Sequence, residues 1–203
     1  MIDAGAGDDV IRTGMGDDRI FGGDGNDTIE TIGGRNDIDG GNGDDTLIGG
    51  DGDNIICGGA GNDVIRAGSG FNFIEGGLGN DEIFGGAGQN ILSGGRGDDV
   101  INVNAAGRSS AYAGLGNDTI NGAGANDLVY TEVGDLVNAA TGARPTVVNV
   151  EIDTSAGQTI AVTGSEQFRQ RVESELDFLR SSAAGTQMLS ELDAAVENKG
   201  NRV

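Results

Sequence analysis

The sequence predicts an all-β solenoid in which short parallel strands stack into two sheets with eighteen residues per coil, and three observations predict it. A nine-residue unit, Gly-Gly-x-Gly-x-Asp-x-aliphatic-x, recurs in register from Ala4 to Asn102. Its eighth place carries one aliphatic residue per unit: Ile11, Ile20, Ile29, Ile38, Leu47, Ile56, Ile65, Ile74, Ile83, Leu92 and Ile101, then Ile120 and Val129. The composition of the 203 residues, with 40 glycines, one proline and 4% aromatics, is too poor in large apolar side chains for a compact core and suits an elongated repeat body.

Each place in the unit has a physical reason. The copies Gly22-Gly-Asp-Gly-Asn-Asp-Thr-Ile-Glu30, Gly40-Gly-Asn-Gly-Asp-Asp-Thr-Leu-Ile48, Gly58-Gly-Ala-Gly-Asn-Asp-Val-Ile-Arg66 and Gly94-Gly-Arg-Gly-Asp-Asp-Val-Ile-Asn102 display it fully. Glycines at the first, second and fourth places allow positive φ and close backbone approach, so the first part of the unit makes a tight turn. The last part alternates like a very short strand with the aliphatic residue facing in. Such a strand is not stable alone, so neighbouring copies must stack and share one narrow core. If every turn reverses the chain, consecutive strands fall on opposite sheets. The backbone then returns above itself after two units, at roughly the 4.8 Å spacing of paired strands.

At that spacing the two sides differ. One carries Asp9, Asp27, Asp45, Asp63, Asp81 and Asp99 at the sixth place; the other carries Asp18 and then Asn36, Asn54, Asn72 and Asn90. Carboxylates stacked about 5 Å apart repel by roughly 3 kcal/mol per neighbouring pair at an effective dielectric near 20. A few such pairs rival the stability of a whole domain, about 5 to 15 kcal/mol. A cation between them removes the conflict. Calcium suits the gap, because Ca2+ takes about six to eight oxygens at roughly 2.3 to 2.6 Å. The second- and fourth-place glycines set backbone carbonyls beside each carboxylate: Gly5, Gly7, Gly23, Gly25, Gly41, Gly43, Gly59, Gly61, Gly77, Gly79, Gly95 and Gly97. Asparagine presents a neutral amide, and stacked Asn residues can hydrogen-bond along the row without a metal. The expectation is a calcium side and a metal-free side. The competing reading has the Asn carbonyls ligate Ca2+ too. Gly-Asp and Gly-Asn pairs also make good turns, which explains single copies but not a register kept from unit to unit.

The unit resembles the RTX, or hemolysin-type, calcium-binding nonapeptide repeat. That resemblance implies a right-handed parallel β-roll with Ca2+ sandwiched between the turns of successive coils. It also implies a module of a secreted, extracellular bacterial toxin or effector.

The formal charge of −21, from 12 Lys+Arg against 33 Asp+Glu, favours cations and disfavours nucleic acid and anionic membrane partners. The single cysteine, Cys57, excludes an internal disulfide. No apolar run approaches the roughly 18 residues of a membrane span, and no charged-then-apolar leader opens the sequence. An export signal is therefore expected elsewhere or of another kind. The units begin at Ala4 without a cap over the open core, which solenoids need, so the expectation is a fragment or a start covered by a partner.

Along the chain, the roll is expected over residues 1–130. Residues 103–112 are degenerate and one residue too long, with no Asp or Asn where one is due, which predicts a bulge or surface loop. The pattern resumes at Ala113-Gly-Leu-Gly-Asn-Asp-Thr-Ile-Asn121 and Gly122-Ala-Gly-Ala-Asn-Asp-Leu-Val-Tyr130. With the extra residue looped out, Asp118 joins the Asp side, giving seven rungs and up to six gaps, and Asp127 joins Asp18 on the Asn side as a weaker ligand. Ile55, Phe73 and Ile91, with Phe71 nearby, form an apolar strip expected to be exposed and to receive the chain's own C-terminal segment, a second copy or another domain.

Residues 131–164 lack the unit. Thr146-Val-Val-Asn-Val-Glu-Ile152 and Gln158-Thr-Ile-Ala-Val-Thr163 predict two strands capping the roll. Residues 165–203 predict two helices. Ser165 is an N-cap before the stripe Phe168, Val172, Leu176 and Leu179, and a second helix runs from about Thr186 to Asn198 with Leu189, Leu192 and Val196 on one face. Through Phe168, Val172, Leu176, Leu179, Gly185 and Leu189 this tail resembles the opening helices of a bacterial type III effector family of zinc metallopeptidases, as the truncated start of a further domain.

That family's chemistry needs a His-Glu-x-x-His helix to hold zinc, and the sequence contains no histidine. The repeated Gly-x-Gly-x-x-Gly lies within the repeat rather than between a long strand and a helix, so it is no nucleotide signal. The Asp-rich turns lack the final Glu of an EF-hand loop. Paired carboxylates such as Asp44 and Asp45 recur from unit to unit as structure. The chain is therefore expected not to be an enzyme. Two classes of function stand. One is a calcium-dependent folding module of a secreted toxin or effector, loose in calcium-poor cytosol and folded by the roughly millimolar calcium outside. The other is a partly calcium-independent structural or interaction scaffold carrying a C-terminal effector domain. An ice-binding scaffold would need a uniform Thr or Asn row, and the third place reads Ala6, Met15, Asp24, Gly33, Asn42, Asp51, Ala60 instead.

Overall fold

A computed structural model describes residues 1–104, 106–153 and 159–161 of the chain. They fall into two units, residues 1–149 and 150–203. In the first, every strand pairs in parallel with the strand one coil away. One sheet stacks nine strands in the order Ile2–Ala6, Arg19–Asp24, Asp37–Asn42, Ile55–Ala60, Asn72–Leu78, Asn90–Arg96, Ser110–Leu115, Leu128–Thr131 and Thr146–Asn149. The other stacks eight: Val10–Arg12, Thr28–Glu30, Thr46–Ile48, Val64–Arg66, Glu82–Phe84, Val100–Asn102, Thr119–Ala123 and Leu136–Ala139. This is the all-β parallel solenoid the repeat predicts.

The register is the eighteen-residue step read at the eighth place: Ile20 opposes Ile38, and Ile29 opposes Leu47. The predicted aliphatic row is buried throughout, from Ile11 at 8% exposure to Val129 at 0%. It forms one cluster, which Ala111 joins in the coil where the sequence names no large aliphatic residue. Val137 packs against the same cluster at the C-terminal end.

The sheets are unequal, which the nonapeptide alone does not suggest. Before each Asp-side turn the strand continues through the first three places of the next unit, so Arg19–Asp24 spans six residues while Thr28–Glu30 spans three. Gly23 has φ +117°, and a Cβ there would collide with the carbonyl of Gly5 one coil away; only glycine lets the chain bend while staying in the ladder. On the Asn side, from Met15 to Ala87, only the third place pairs, as isolated bridges through Gly33, Asp51 and Ser69.

The irregular coils change the step. Leu92 opposes Ala111 and Ile101 opposes Ile120, a step of nineteen, because the extra residue lies in the turn where the Ala106 and Gly107 N–H groups donate to Asn104. Further on, Ile120 opposes Val137, a step of seventeen. The stacking continues past Tyr130 with Leu136–Ala139 and Thr146–Asn149 at the ends of the two sheets. The strand expected over Thr146-Val-Val-Asn-Val-Glu-Ile152 is therefore divided. Thr146–Asn149 belongs to the roll, and Glu151–Asp153 pairs antiparallel with Thr159–Ala161 in the second unit. The helices expected within 165–203 lie outside the described residues. Ile55, Phe73 and Ile91 oppose one another as expected, but the strip is not uniformly open. Ile55 is 40% and Phe71 41% exposed, whereas Phe73 keeps 9%.

Candidate metal centre

The Asp side stacks as the eighteen-residue reading requires. Asp9 N–H donates to Asp27 Oδ1 at 2.8 Å, Asp27 N–H to Asp45 Oδ1 at 2.7 Å, and Asp45 N–H to Asp63 Oδ1 at 2.8 Å. Asp63, Asp81 and Asp99 continue onto Asp81, Asp99 and Asp118, each at 2.8 Å. One carboxylate oxygen of every rung from Asp27 to Asp118 is thus committed to the backbone of the preceding coil.

The other oxygen is not. Oδ2 of Asp27, Asp45, Asp63, Asp81, Asp99 and Asp118 is buried and meets no hydrogen-bond donor among the described residues. In Asp27, Asp45, Asp63, Asp81 and Asp99 it faces an acceptor instead. A Cβ placed on Gly22 would lie inside 3 Å of both Asp27 Oδ2 and the carbonyl oxygen of Gly40, and the same holds for Gly40, Gly58, Gly76 and Gly94 with their own aspartate and the first-place carbonyl of the next coil. Two oxygen acceptors therefore converge on each first-place glycine with no proton between them. Beside them, the carbonyls of the second- and fourth-place glycines point along the stack, Gly23 O towards Gly41 and Gly25 O towards Gly43.

The Asn side resolves the same geometry with protons. Asn36 Nδ2 donates to the Gly49 carbonyl at 3.2 Å and to Asn54 Oδ1 at 3.0 Å, and Asn54 Nδ2 donates to the Ala67 carbonyl at 3.4 Å and to Asn72 Oδ1 at 3.1 Å. Asn72 Nδ2 continues to Asn90 Oδ1 at 3.0 Å. Residue 36 stands to 49 as 27 stands to 40, so an amide N–H occupies the position where the Asp side has a bare oxygen. The first place on this side reads Thr31, Ala67 and Val103 in three of its coils.

Both ends of the Asn row are acidic. Asp18 N–H donates to Asn36 Oδ1 at 3.1 Å. Asp127 accepts from Ser109 N–H at 2.7 Å and from Gly124 N–H at 2.6 Å, so both its oxygens have backbone donors. Ser109, unremarked in the sequence, takes the rung between Asn90 and Asp127 and accepts the Asn90 N–H at 3.3 Å. Asp135 was likewise hidden: it accepts from Asp118 N–H at 3.0 Å and from Glu132 N–H at 2.6 Å, closing the Asp row with both oxygens bonded. The signal for each was a polar residue two places before a core residue, Ser109 before Ala111 and Asp135 before Val137, at a step of nineteen and seventeen.

A second row flanks the buried one at the fifth place: Asp8, Asn26, Asp44, Asn62, Asn80, Asp98 and Asn117. Its side chains accept backbone N–H groups from the following coil, as in Asn26 N–H to Asp8 Oδ1 at 2.9 Å and Asn62 N–H to Asp44 Oδ1 at 2.7 Å. No two aspartates are adjacent in it. Like charges are kept apart where they are exposed and stacked without interruption where they are buried.

Burial pushes the carboxyls of Asp63 and Asp99 up to about 7. It pushes those of Asp45, Asp81 and Asp118 up to about 6. The N–H bond from the preceding coil pulls each partly back, and neighbouring carboxylates add to the rise at all but Asp81. No three acidic, Cys or His side chains converge on one point among the described residues. The donors available at each turn are one carboxylate oxygen and several peptide carbonyls, an all-oxygen set that matches a hard cation such as Ca2+ and not a thiolate or imidazole metal.

A family model described as RTX calcium-binding nonapeptide repeat matches residues 1–29, 31–65, 66–101 and 106–135. A second, described as effector protein and belonging to an M91 peptidase family, matches residues 156–203. Comparison with curated proteins and with solved structures gave no match.

Proposed function

Because this chain belongs to the family of RTX calcium-binding nonapeptide repeats, we propose that its roll is a calcium-dependent folding module whose ions lie along the Asp side alone. The observation that carries this is the row of buried Oδ2 atoms without donors, set against Asn36 and Asn54, whose amides supply the missing protons at the corresponding places. Asp27, Asp45, Asp63, Asp81, Asp99 and Asp118 would supply carboxylate oxygen, with Asp9 at the start of the row. The second- and fourth-place glycine carbonyls would complete each shell. Bound Ca2+ supplies positive charge that lets stacked carboxylates ionise in the buried row. The chain's own part is positional: from Asp27 to Asp99, Oδ1 ties each rung to the coil before it, and Oδ2 is left pointing at the next coil's carbonyl.

RTX repeat proteins are typically secreted bacterial proteins, and no helix among the described residues is long and apolar enough to cross a membrane. We place this chain outside the cell, as the roll of a toxin or effector whose C-terminal segment begins an effector domain. The roll itself is a non-catalytic module. A second reading, a scaffold partly independent of calcium, is favoured by Asn36, Asn54 and Asn72, whose amides are hydrogen-bonded along the row without any ion.

Calcium titration calorimetry on chelator-stripped chain, with circular dichroism alongside, separates these. About six ions with a coupled gain of strand signal support the one-sided row. A fold unchanged between chelator and calcium overturns the folding role, and about ten ions or more would put Ca2+ on the Asn side too.

A further inference from the structure

The buried carboxylates do not all sit in the same surroundings. Five of them, Asp27, Asp45, Asp63, Asp81 and Asp99, lie five residues after a glycine, and at Gly22, Gly40, Gly58, Gly76 and Gly94 a methyl group would fall inside 3 Å of Oδ2 and of the facing carbonyl. Asp118 lies five residues after Ala113, which carries that methyl group and is itself 1% exposed. Its Oδ2 is nonetheless buried without a donor, like the other five. The coil beyond it is also different: the step shortens to seventeen, and Asp135 has both oxygens bonded to N–H groups.

Resting on the calcium reading above, we propose that the row holds five alike Ca2+ positions and a sixth, weaker one at Asp118 whose affinity is set by Ala113. The physical reason is space. Ca2+ must come within about 2.3 to 2.6 Å of each oxygen it takes, whereas a methyl carbon packs at ordinary van der Waals distance, roughly 3.5 Å or more. At the five glycines the aspartate oxygen and the facing carbonyl converge on a bare α-carbon; at Ala113 a methyl group stands in place of that hydrogen. The C-terminal rung is then the last to fill, and the roll responds to calcium in two stages. Low concentrations order the coils up to Asp99, and higher ones fasten the coil that carries Asp118.

The test is calorimetric titration of the full chain with Ca2+ alone, for wild type, Ala113→Gly, Asp118→Asn and Gly58→Ala. The expected wild-type isotherm has five tight ions and one weaker by about tenfold, the lower end of what altered surroundings of the ligands cost a metal site. Ala113→Gly should move one ion into the tight class, Asp118→Asn should delete one weak ion and leave the tight class intact, and Gly58→Ala should remove one tight ion. Gly58→Ala is the variant most exposed to misfolding, and the first two decide the matter without it. An isotherm unchanged by Ala113→Gly overturns the proposal while leaving the calcium row standing. No binding by the wild type overturns the calcium row itself.

Discussion

Asp63 N–H donates to Asp81 Oδ1 at 2.8 Å, while the second oxygen of the Asp81 carboxylate, equally buried, meets no donor among the described residues. The aspartate is therefore both a structural acceptor and an open ligand.

Replacing Asp81 by Asn keeps the first role and removes the second. Its Nδ2 would donate to the Gly94 carbonyl as Asn36 Nδ2 donates to Gly49. In chelator the variant should be more stable than wild type by about 1 to 3 kcal/mol, since a buried unsatisfied acceptor gives way to a hydrogen bond. In calcium it should bind one ion fewer and lose part of its advantage. Denaturant melts under both conditions check this, and a variant less stable than wild type in chelator refutes the account.

Asn54→Asp is the converse. It removes the donor to Asn72 Oδ1 and leaves an oxygen facing the Ala67 carbonyl, so it should destabilise the roll by about 1 to 3 kcal/mol. Rescue by calcium would show that the Asn side can be turned into an ion site by one atom; failure to rescue would show that one carboxylate oxygen beside a first-place glycine is not enough, since Gly49 already stands there.

Acid should substitute in part for calcium. Asp45, Asp81 and Asp118 near 6, and Asp63 and Asp99 near 7, lie above the ordinary carboxyl value of 3.8. Between roughly pH 4 and 7 the folded metal-free chain thus binds more protons than the unfolded one, and its stability rises as pH falls through that window. Calcium affinity should run the other way, weakening as pH drops below about 7, because protons and ions compete for the same oxygens. Circular dichroism in chelator from pH 7.5 to 4.5 reads the first effect, and calorimetry at two pH values reads the second.

Asn62→Asp breaks the alternation of the exposed fifth-place row by setting a carboxylate beside Asp44 and deleting the 3.2 Å bond from Asn62 Nδ2. The loss should be small, about 0.5 kcal/mol, and should shrink at high salt. A loss that salt leaves untouched would point to the hydrogen bond rather than the charge.

Much of this was readable before any coordinates, because a strict period converts sequence into neighbours. The core row from Ile11 to Val129 and the division into Asp and Asn rows follow once the spacing of eighteen is used. What stayed hidden lies where the period slips. Ser109 and Asp135 stand at steps of nineteen and seventeen from Asn90 and Asp118, so no fixed spacing finds them. The unequal sheets are hidden for another reason: the glycine-rich pattern is the same on both sides, whereas up to Ala87 the first places lie in a strand on the Asp side and outside one on the Asn side. Phe73 is more covered than its outward place suggests, because a side chain's exposure depends on what surrounds it and not on its register alone.

The division of the turns into a carboxylate side and an amide side also constrains how such a gene can lengthen. Duplicating or deleting eighteen residues adds or removes one whole coil and leaves every later side chain in its row. Duplicating nine carries every downstream turn to the opposite side, so that Asp63 would be stacked on Asn54 and the continuity of both rows would end at the junction. The heritable unit of growth is the pair of nonapeptides, twice the motif that the eye first finds.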